Sequence, residues 1–170
     1  LGYISAFAGK SESRLDPKQG IQLQNQFNGI EKLIDSGELA KAENRLNRRA
    51  GQYQLNVMPQ YFGQWDAIYR KRNDTARMIE NWKQAVLNFH GNDNFKNKLA
   101  FELFQQNRLV ESAEAASIIL KANPRYARAH ILLGRIAESQ KSFGDAVLHL
   151  KNGLAVEPNN VSLKIGYEKT

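Results

Sequence analysis

Apolar positions recur at helical spacing along residues 125–158. In YARAHILLGRIAES, Ala127, Ile131, Gly134 and Ala137 fall on one stripe in steps of four, three and three, the spacing of an amphipathic helix. After a break at Gln140–Ser142, Phe143, Ala146, Val147, Leu150 and Leu154 take up the same rhythm. The pattern predicts two antiparallel helices joined by a tight turn. Pro158 closes the second, because proline lacks an N–H and clashes with the preceding turn.

The same pattern stands 34 residues earlier. Leu99, Ala100, Leu103 and Phe104 mark a first helix over about 93–106, and Leu109, Ala113, Ala116, Ile119 and Leu120 a second over about 109–121, closed by Pro124. Leu99 corresponds to Leu133, Ala100 to Gly134, Ala116 to Leu150 and Pro124 to Pro158. A further step back gives Phe62, Trp65 and Tyr69, then Ile79, Trp82, Ala85 and Val86, with Gly91 and Asn92 as the stop near His90. Before that, Ile30, Leu33 and Ile34 lead to Gly37, and Leu39, Ala42 and Leu46 make a second helix. An irregular stretch, GQYQLNVM, follows. YISAFAGKSESRLDP reads as the closing helix of a further unit, and VSLKIGYEKT as the start of another. The approximate units are 1–17 (partial), 23–56, 57–90, 91–124, 125–158 and 159–170 (partial), all in one domain.

A 34-residue helix–turn–helix repeat with Leu133-Gly134, Ala146 twelve residues on and Pro158 at its end resembles a tetratricopeptide repeat (TPR). The likeness is good for 125–158, fair for 91–124, degenerate for 57–90 and weak before that. His130 stands where an aromatic is usual, Ala137 where a tyrosine is usual and Gly153 where an alanine is usual. The resemblance implies an all-α, right-handed α-solenoid of stacked antiparallel helix pairs, about four repeats with partial end units. A related α-solenoid or an ordinary helical bundle is the alternative. Small residues at 134 and 146 are expected where the two helices of a unit approach, and the units must stack to bury their stripes.

The chain has 170 residues, 42% apolar and 24% charged, enough for one domain with a proper core. No apolar run approaches the ~20 residues that cross a bilayer. The start, LGYISAFAGK, has neither a Met nor a basic n-region and is not read as a signal peptide; the chain is expected to be a piece of a longer, bacterial protein. The absence of cysteine excludes disulfides, thiolate zinc sites and a cysteine nucleophile within the sequence, and suits cytoplasm and periplasm equally. The net charge of +7 is spread evenly, with an excess of four in residues 1–85 and three in 86–170, unlike the block of a nucleic-acid tail.

Catalytic signatures do not emerge. His90, His130 and His149 form no i, i+4 pair, and G-x-S-x-G, P-loop and G-x-G-x-x-G motifs do not occur. The pairs Glu111–Glu114 and Glu138–Asp145 are expected on solvated faces or in a turn. Neither an enzyme, nor a metal site, nor a cofactor, nor a small-molecule substrate is predicted.

In a stack of the kind the resemblance implies, the first helix of each unit lines a concave groove. Asn94, Asn97, Phe101 and Gln105, with Phe104 at the edge, then face inward from 93–106. Arg128, Ile131, Arg135 and Glu138 do so from 125–139, and Gln60, Gly63, Ala67, Arg70 and Lys71 from 59–71. Amides, one exposed aromatic and several cations suit a peptide, since amides bond its backbone and arginines clamp its carboxylates. Only Asn97 and Arg128 resemble the dicarboxylate clamp with which TPR domains hold chaperone C-termini, so that partner is not predicted. A second feature is a basic stripe of Lys41, Arg45, Arg48 and Arg49, opposite Leu39, Ala42 and Leu46, with Arg70, Lys71 and Arg72 nearby in sequence. The expected role is an interaction scaffold that binds a peptide or partner subunit within an assembly such as a secretion, pilus or exopolysaccharide export system. The alternative is an anionic polymer, nucleic acid or polysaccharide, held by the basic stripe. Self-association through open solenoid ends is a third outcome.

Overall fold

The computed structural model describes residues 17–53, 58–161, 164 and 166. The partial unit expected in 1–17 lies outside them except for Pro17, the first residue of a helix, as does most of the one expected in 159–170. Eight helices, and no strand, occur among the described residues: α1 (Pro17–Asp35), α2 (Leu39–Tyr53), α3 (Pro59–Lys71), α4 (Thr75–Asn88), α5 (Asp93–Gln105), α6 (Leu109–Ala122), α7 (Ala127–Ser139) and α8 (Phe143–Val156).

Backbone hydrogen bonds carry the repeat more clearly than side chains do. Within each helix pair the turn holds one residue at positive φ: Gly37 (80°), Asn73 (53°), Asn107 (57°) and Lys141 (60°). The next amide reaches five residues back, Glu38 to Leu33 (2.8 Å), Asp74 to Tyr69 (2.9 Å), Arg108 to Leu103 (2.9 Å) and Ser142 to Ala137 (2.8 Å). Each first helix thus ends in the same left-handed cap, which satisfies its orphan carbonyls. Asn73, Asn107 and Lys141 stand 34 residues apart, whereas Gly37 precedes Asn73 by 36. The turns between pairs also repeat, with Asn92 bonding Phe89 (2.8 Å), Tyr126 bonding Asn123 (3.1 Å) and Asn160 bonding Glu157 (3.0 Å).

Neighbouring helices pack in sequence, α1 on α2, α2 on α3 and so on to α8, while α1 also touches α3 and α5 touches α7. A stack of helix pairs with the odd-numbered helices side by side is the result. In the last pair, a Cβ on Gly134 would lie 3.0 Å from Leu150 Cδ2 and 3.6 Å from the Ala146 carbonyl. In the pair before, the equivalents are Ala100 and Ser112, both fully buried, and the Ser112 hydroxyl donates to the Ala100 carbonyl at 2.7 Å. One pair earlier the equivalents are Asp66 and Met78, and the packing there is aromatic instead. Trp82, 1% exposed, donates its Nε1–H to Asp66 Oδ1 at 2.9 Å. Phe62, Phe89 and Phe95 pack around one another with ring centroids 5.3–6.3 Å apart. With Asp66 and Met78 in place of the small pair and rings filling the space between helices, 57–90 looks degenerate in sequence.

Two sequence expectations are corrected. The helix continues through residues 51–53, the first part of the stretch read as irregular; residues 54–57 lie outside the described residues. Phe143, expected on the apolar stripe, is 55% exposed, because it is the first residue of α8 and sits beyond the seam formed by Ala146 and Leu150.

Candidate binding groove

The odd-numbered helices bring their polar faces into one row, and cations stitch that row together. Lys71 Nζ on α3 reaches the Asp35 carbonyl at the end of α1 (3.4 Å). From the same helix, Arg70 Nη2 reaches forward to Glu102 Oε1 on α5 (2.5 Å) and to Asp66 (3.2 Å). Arg128 Nη1 on α7 donates to Asn94 Oδ1 on α5 at 3.3 Å, a contact between residues 34 apart. The Glu102 side chain is only 6% exposed and that of Arg70 53%. The hydrogen bond to Glu102 holds the Arg70 guanidinium above its ordinary pKa, against the opposing effect of burial.

Positions counted from the turns, rather than in fixed steps of 34, align across the row. Glu31, Ala67, Phe101 and Arg135 are then equivalent, as are Gln24, Gln60, Asn94 and Arg128. At these two positions the row runs from acid and amide on α1 to base on α7. Between α1 and α3 it opens into a cavity of about 330 Å³, with Glu31, Asp35, Gln60, Gly63, Gln64 and Ala67 in its wall.

The groove residues expected from sequence fall into three groups. Asn94 and Arg128 meet, and Arg135 lies over the Phe104 ring, 5.7 Å from its centroid. Gln60, Gly63 and Ala67 share the cavity. Gln105 is exposed, Ile131 and Glu138 half-buried, and Asn97 is half-buried with its Oδ1 enclosed and without a hydrogen-bond partner. Phe101, expected to be an exposed aromatic, is half-buried against the cluster around Ala100 and Ile136, so it offers an edge rather than a platform. Sequence reasoning missed Glu31, Asp35 and Gln64. The turn at Gly37 was the available signal, because counting back from it reaches Glu31 and Asp35.

The basic stripe divides. Lys41, Arg45 and Arg48, with Leu33 and Asn44, line a separate cavity of about 510 Å³. Lys41 pairs with Glu38, and Arg45 Nη1 lies 3.5 Å from the Gly29 carbonyl. The Arg49 side chain lies outside the described residues. Arg70 and Lys71 do not extend the stripe, since their contacts go to α5 and α1, and Arg72 holds Glu43 with two bonds of 3.1 and 2.7 Å.

His130 and His149 come together across α7 and α8. Their Nδ1 atoms are 3.5 Å apart, and His130 Nε2 lies 3.1 Å from the Pro124 carbonyl. Burial, and secondarily the facing His130, push His149 below its ordinary pKa of 6.5. No cluster of three metal-ligating side chains occurs among the described residues, and none of their helices is long and apolar enough to cross a membrane.

Neither a protein-family model nor a curated protein matches the chain. Solved structures do. The chain is similar to a tetratricopeptide repeat protein from Parabacteroides merdae, with a TM-score of 0.70 and 15% identity over 85% of this chain and 57% of that one. The fold is that of a TPR solenoid. It is also similar to PilF of Pseudomonas aeruginosa (TM-score 0.68, 14% identity, 86% of this chain and 66% of that one). A third likeness is to a chain in the APC/C hetero-tetramer Cut9–Hcn1 (TM-score 0.65, 15% identity, 85% and 29%). In all three the TPR likeness is one of backbone architecture, since so few residues coincide.

Proposed function

We propose that this TPR solenoid is an interaction scaffold that holds a peptide, or an extended segment of a partner subunit, along the row formed by α1, α3, α5 and α7. The observation that carries the reading is the row itself. Four alternate helices present amides, among them Gln60, Asn94 and Gln105, and charges on one face. An extended chain supplies N–H donors at regular intervals, and Arg128 and Arg135 suit a carboxylate at the α7 end. One structural neighbour is a component of a hetero-tetramer, in keeping with a role in assembly; a secretion, pilus or polysaccharide-export machine is the kind of setting this reading favours. The chain acts by binding, not by catalysis.

Affinity capture from host lysate with wild-type chain and with Arg128→Ala/Arg135→Ala, at about 0.15 M and about 0.5 M salt, tests this. The expected result is a discrete protein that persists at the higher salt and is lost with the variant. A partner retained equally by the variant contradicts the groove assignment.

The cavity lined by Lys41, Arg45 and Arg48 favours a second reading, an anionic polymer held outside the groove. Each neutralised phosphate of duplex DNA contributes about −0.9 to the log–log salt slope. Binding that is steeply salt-dependent, and lost in Lys41→Ala/Arg45→Ala/Arg48→Ala but not in the groove variant, is its signature. Salt-independent capture of the same material speaks against it.

A further inference from the structure

We propose that Arg70 is the central anchor of the groove, a guanidinium fixed in advance by Asp66 and Glu102 so that it donates to backbone carbonyl oxygens of an extended bound segment. The inference rests on the groove reading and names one of its contacts.

Counting from the turns places the same three positions at each junction between odd-numbered helices. Between α1 and α3 they are Ile30, Ile34 and Ile68, buried in one apolar cluster. Between α5 and α7 they are Ala100, Phe104 and Ile136, again in one apolar cluster. Between α3 and α5 they are Asp66, Arg70 and Glu102. The middle junction is therefore ionic where its two neighbours close without charge. The Glu102 side chain is only 6% exposed, and a carboxylate so buried is costly unless paired. Apolar residues in place of such a pair are often neutral or stabilising. Stability alone gives no reason for the ions, which points to a task on the groove surface.

Arg70 meets both acids through Nη2, with Glu102 Oε1 at 2.5 Å and the two Asp66 oxygens at 3.2 and 3.3 Å. Trp82 Nε1–H holds Asp66 in turn, at 2.9 Å. A guanidinium has five N–H donors, three of them on Nε and Nη1. No hydrogen bond among the described residues uses those three, and more than half of the Arg70 side chain is exposed. Arg70 stands one turn beyond Ala67 on α3, so it shares the face of the row, and its bond to Glu102 spans the row's middle. Fixing the group beforehand removes an ordering cost that binding otherwise carries, and centrally placed arginines are frequent hot spots of interfaces. The acceptor is a neutral carbonyl, because two carboxylates already match the charge of Arg70 and repel a third. An extended segment offers a carbonyl at every residue. Arg70 thus adds affinity with little dependence on sequence, whereas Arg128 and Arg135 select for acid.

The test uses the full chain and peptides selected on it from a displayed random library, with affinity and urea midpoint measured for each variant. Arg70→Lys keeps a cation beside Glu102 but removes the fork, and should weaken the peptides at least tenfold. Arg70→Ile/Glu102→Ile copies Ile34 and Ile68 of the first junction and leaves Asp66 to Trp82. It should keep a midpoint equal to or above that of wild type while losing the same affinity. Exchanging single peptide carbonyls for thiocarbonyls, which are weaker acceptors, should cost affinity at one or two adjacent positions in wild type and not in Arg70→Lys. Wild-type affinity in either variant overturns the anchor, and a double variant that unfolds assigns the network to the fold and overturns it too. A fixed acidic position that matters only while Arg70 is present overturns the carbonyl assignment. Peptides that depend on Arg128 and Arg135 but not on Arg70 overturn the anchor and leave the groove standing. Peptides that depend on Arg70 alone support the anchor and overturn the basic end of the groove. Peptides indifferent to all three overturn both readings.

Discussion

Gly134 leaves little space for a side chain. A Cβ there would approach Leu150 to 3.0 Å, and the atoms of a valine would press further into a seam already closed by Ala146. Gly134→Val is expected to cost about 1–3 kcal/mol in urea unfolding, as overpacking does, despite the better helix propensity. Arg70→Ala acts through its partner: it leaves the buried Glu102 carboxylate without its cation, at a cost of about 1–3 kcal/mol, whereas Arg70→Lys should recover part of the loss. The histidines supply a pH prediction. His149 titrates below 6.5 in the folded chain, so the unfolded chain binds its proton first as pH falls. Its stabilising contribution is whole above about 6.5 and declines as pH drops towards the folded value. A pH series of denaturation midpoints for wild type and His149→Gln should show the wild-type decline begin near 6.5 and flatten in the variant. At this scale Gly134 and Ala146 were legible from the repeat, because small residues at fixed spacing announce a close approach. Ser112 was not, since a serine reads as surface until its acceptor, the Ala100 carbonyl, is located. Nor was the meeting of His130 and His149, which depends on how α7 and α8 turn about their axes.

The helices end where local backbone chemistry ends them. Three of the four turns within pairs place a non-glycine residue in the left-handed region, which costs L-residues about 1–2 kcal/mol. Lys141, at φ 60°, is a long side chain with no local amide to ease that cost. Lys141→Gly is expected to raise stability by up to about 1 kcal/mol; an unchanged or lower melting point would show that the turn is not strained at that residue. The helix pairs from α3 onward were legible because the apolar stripes recur in fixed steps, closed by Gly91 after α4 and by Pro124 and Pro158 after α6 and α8. The turn at Gly37 lies 36 residues before the next, not 34, so counting in steps of 34 did not bring Glu31 and Asp35 to the row. The end of α2 was missed for another reason. Gly51 reads as a stop, yet a glycine inside a helix costs only about 1 kcal/mol, and the helix runs on to Tyr53.

At the scale of the molecule, each helix pair leaves an apolar stripe that only its neighbours can cover, so the stack exists as a whole or loses its core. Trp82 shows the dependence: it lies on α4 and packs against Phe95 of the next pair. The same stacking brings four separated helices into one face, on which charge changes sign from Glu31 to Arg135. That gradient could not be read from composition, because the overall excess of base is spread evenly along the chain, and it appears only once the odd-numbered helices lie side by side. The most direct test of the groove as the binding surface is photocrosslinking in host lysate. Benzoylphenylalanine would replace Phe101, on the row, or Leu148, 54% exposed on α8. The groove account predicts a discrete adduct from position 101 that disappears with Arg128→Ala/Arg135→Ala, and no such adduct from position 148. An adduct from 148 alone, or one from 101 that survives loss of both arginines, would contradict it.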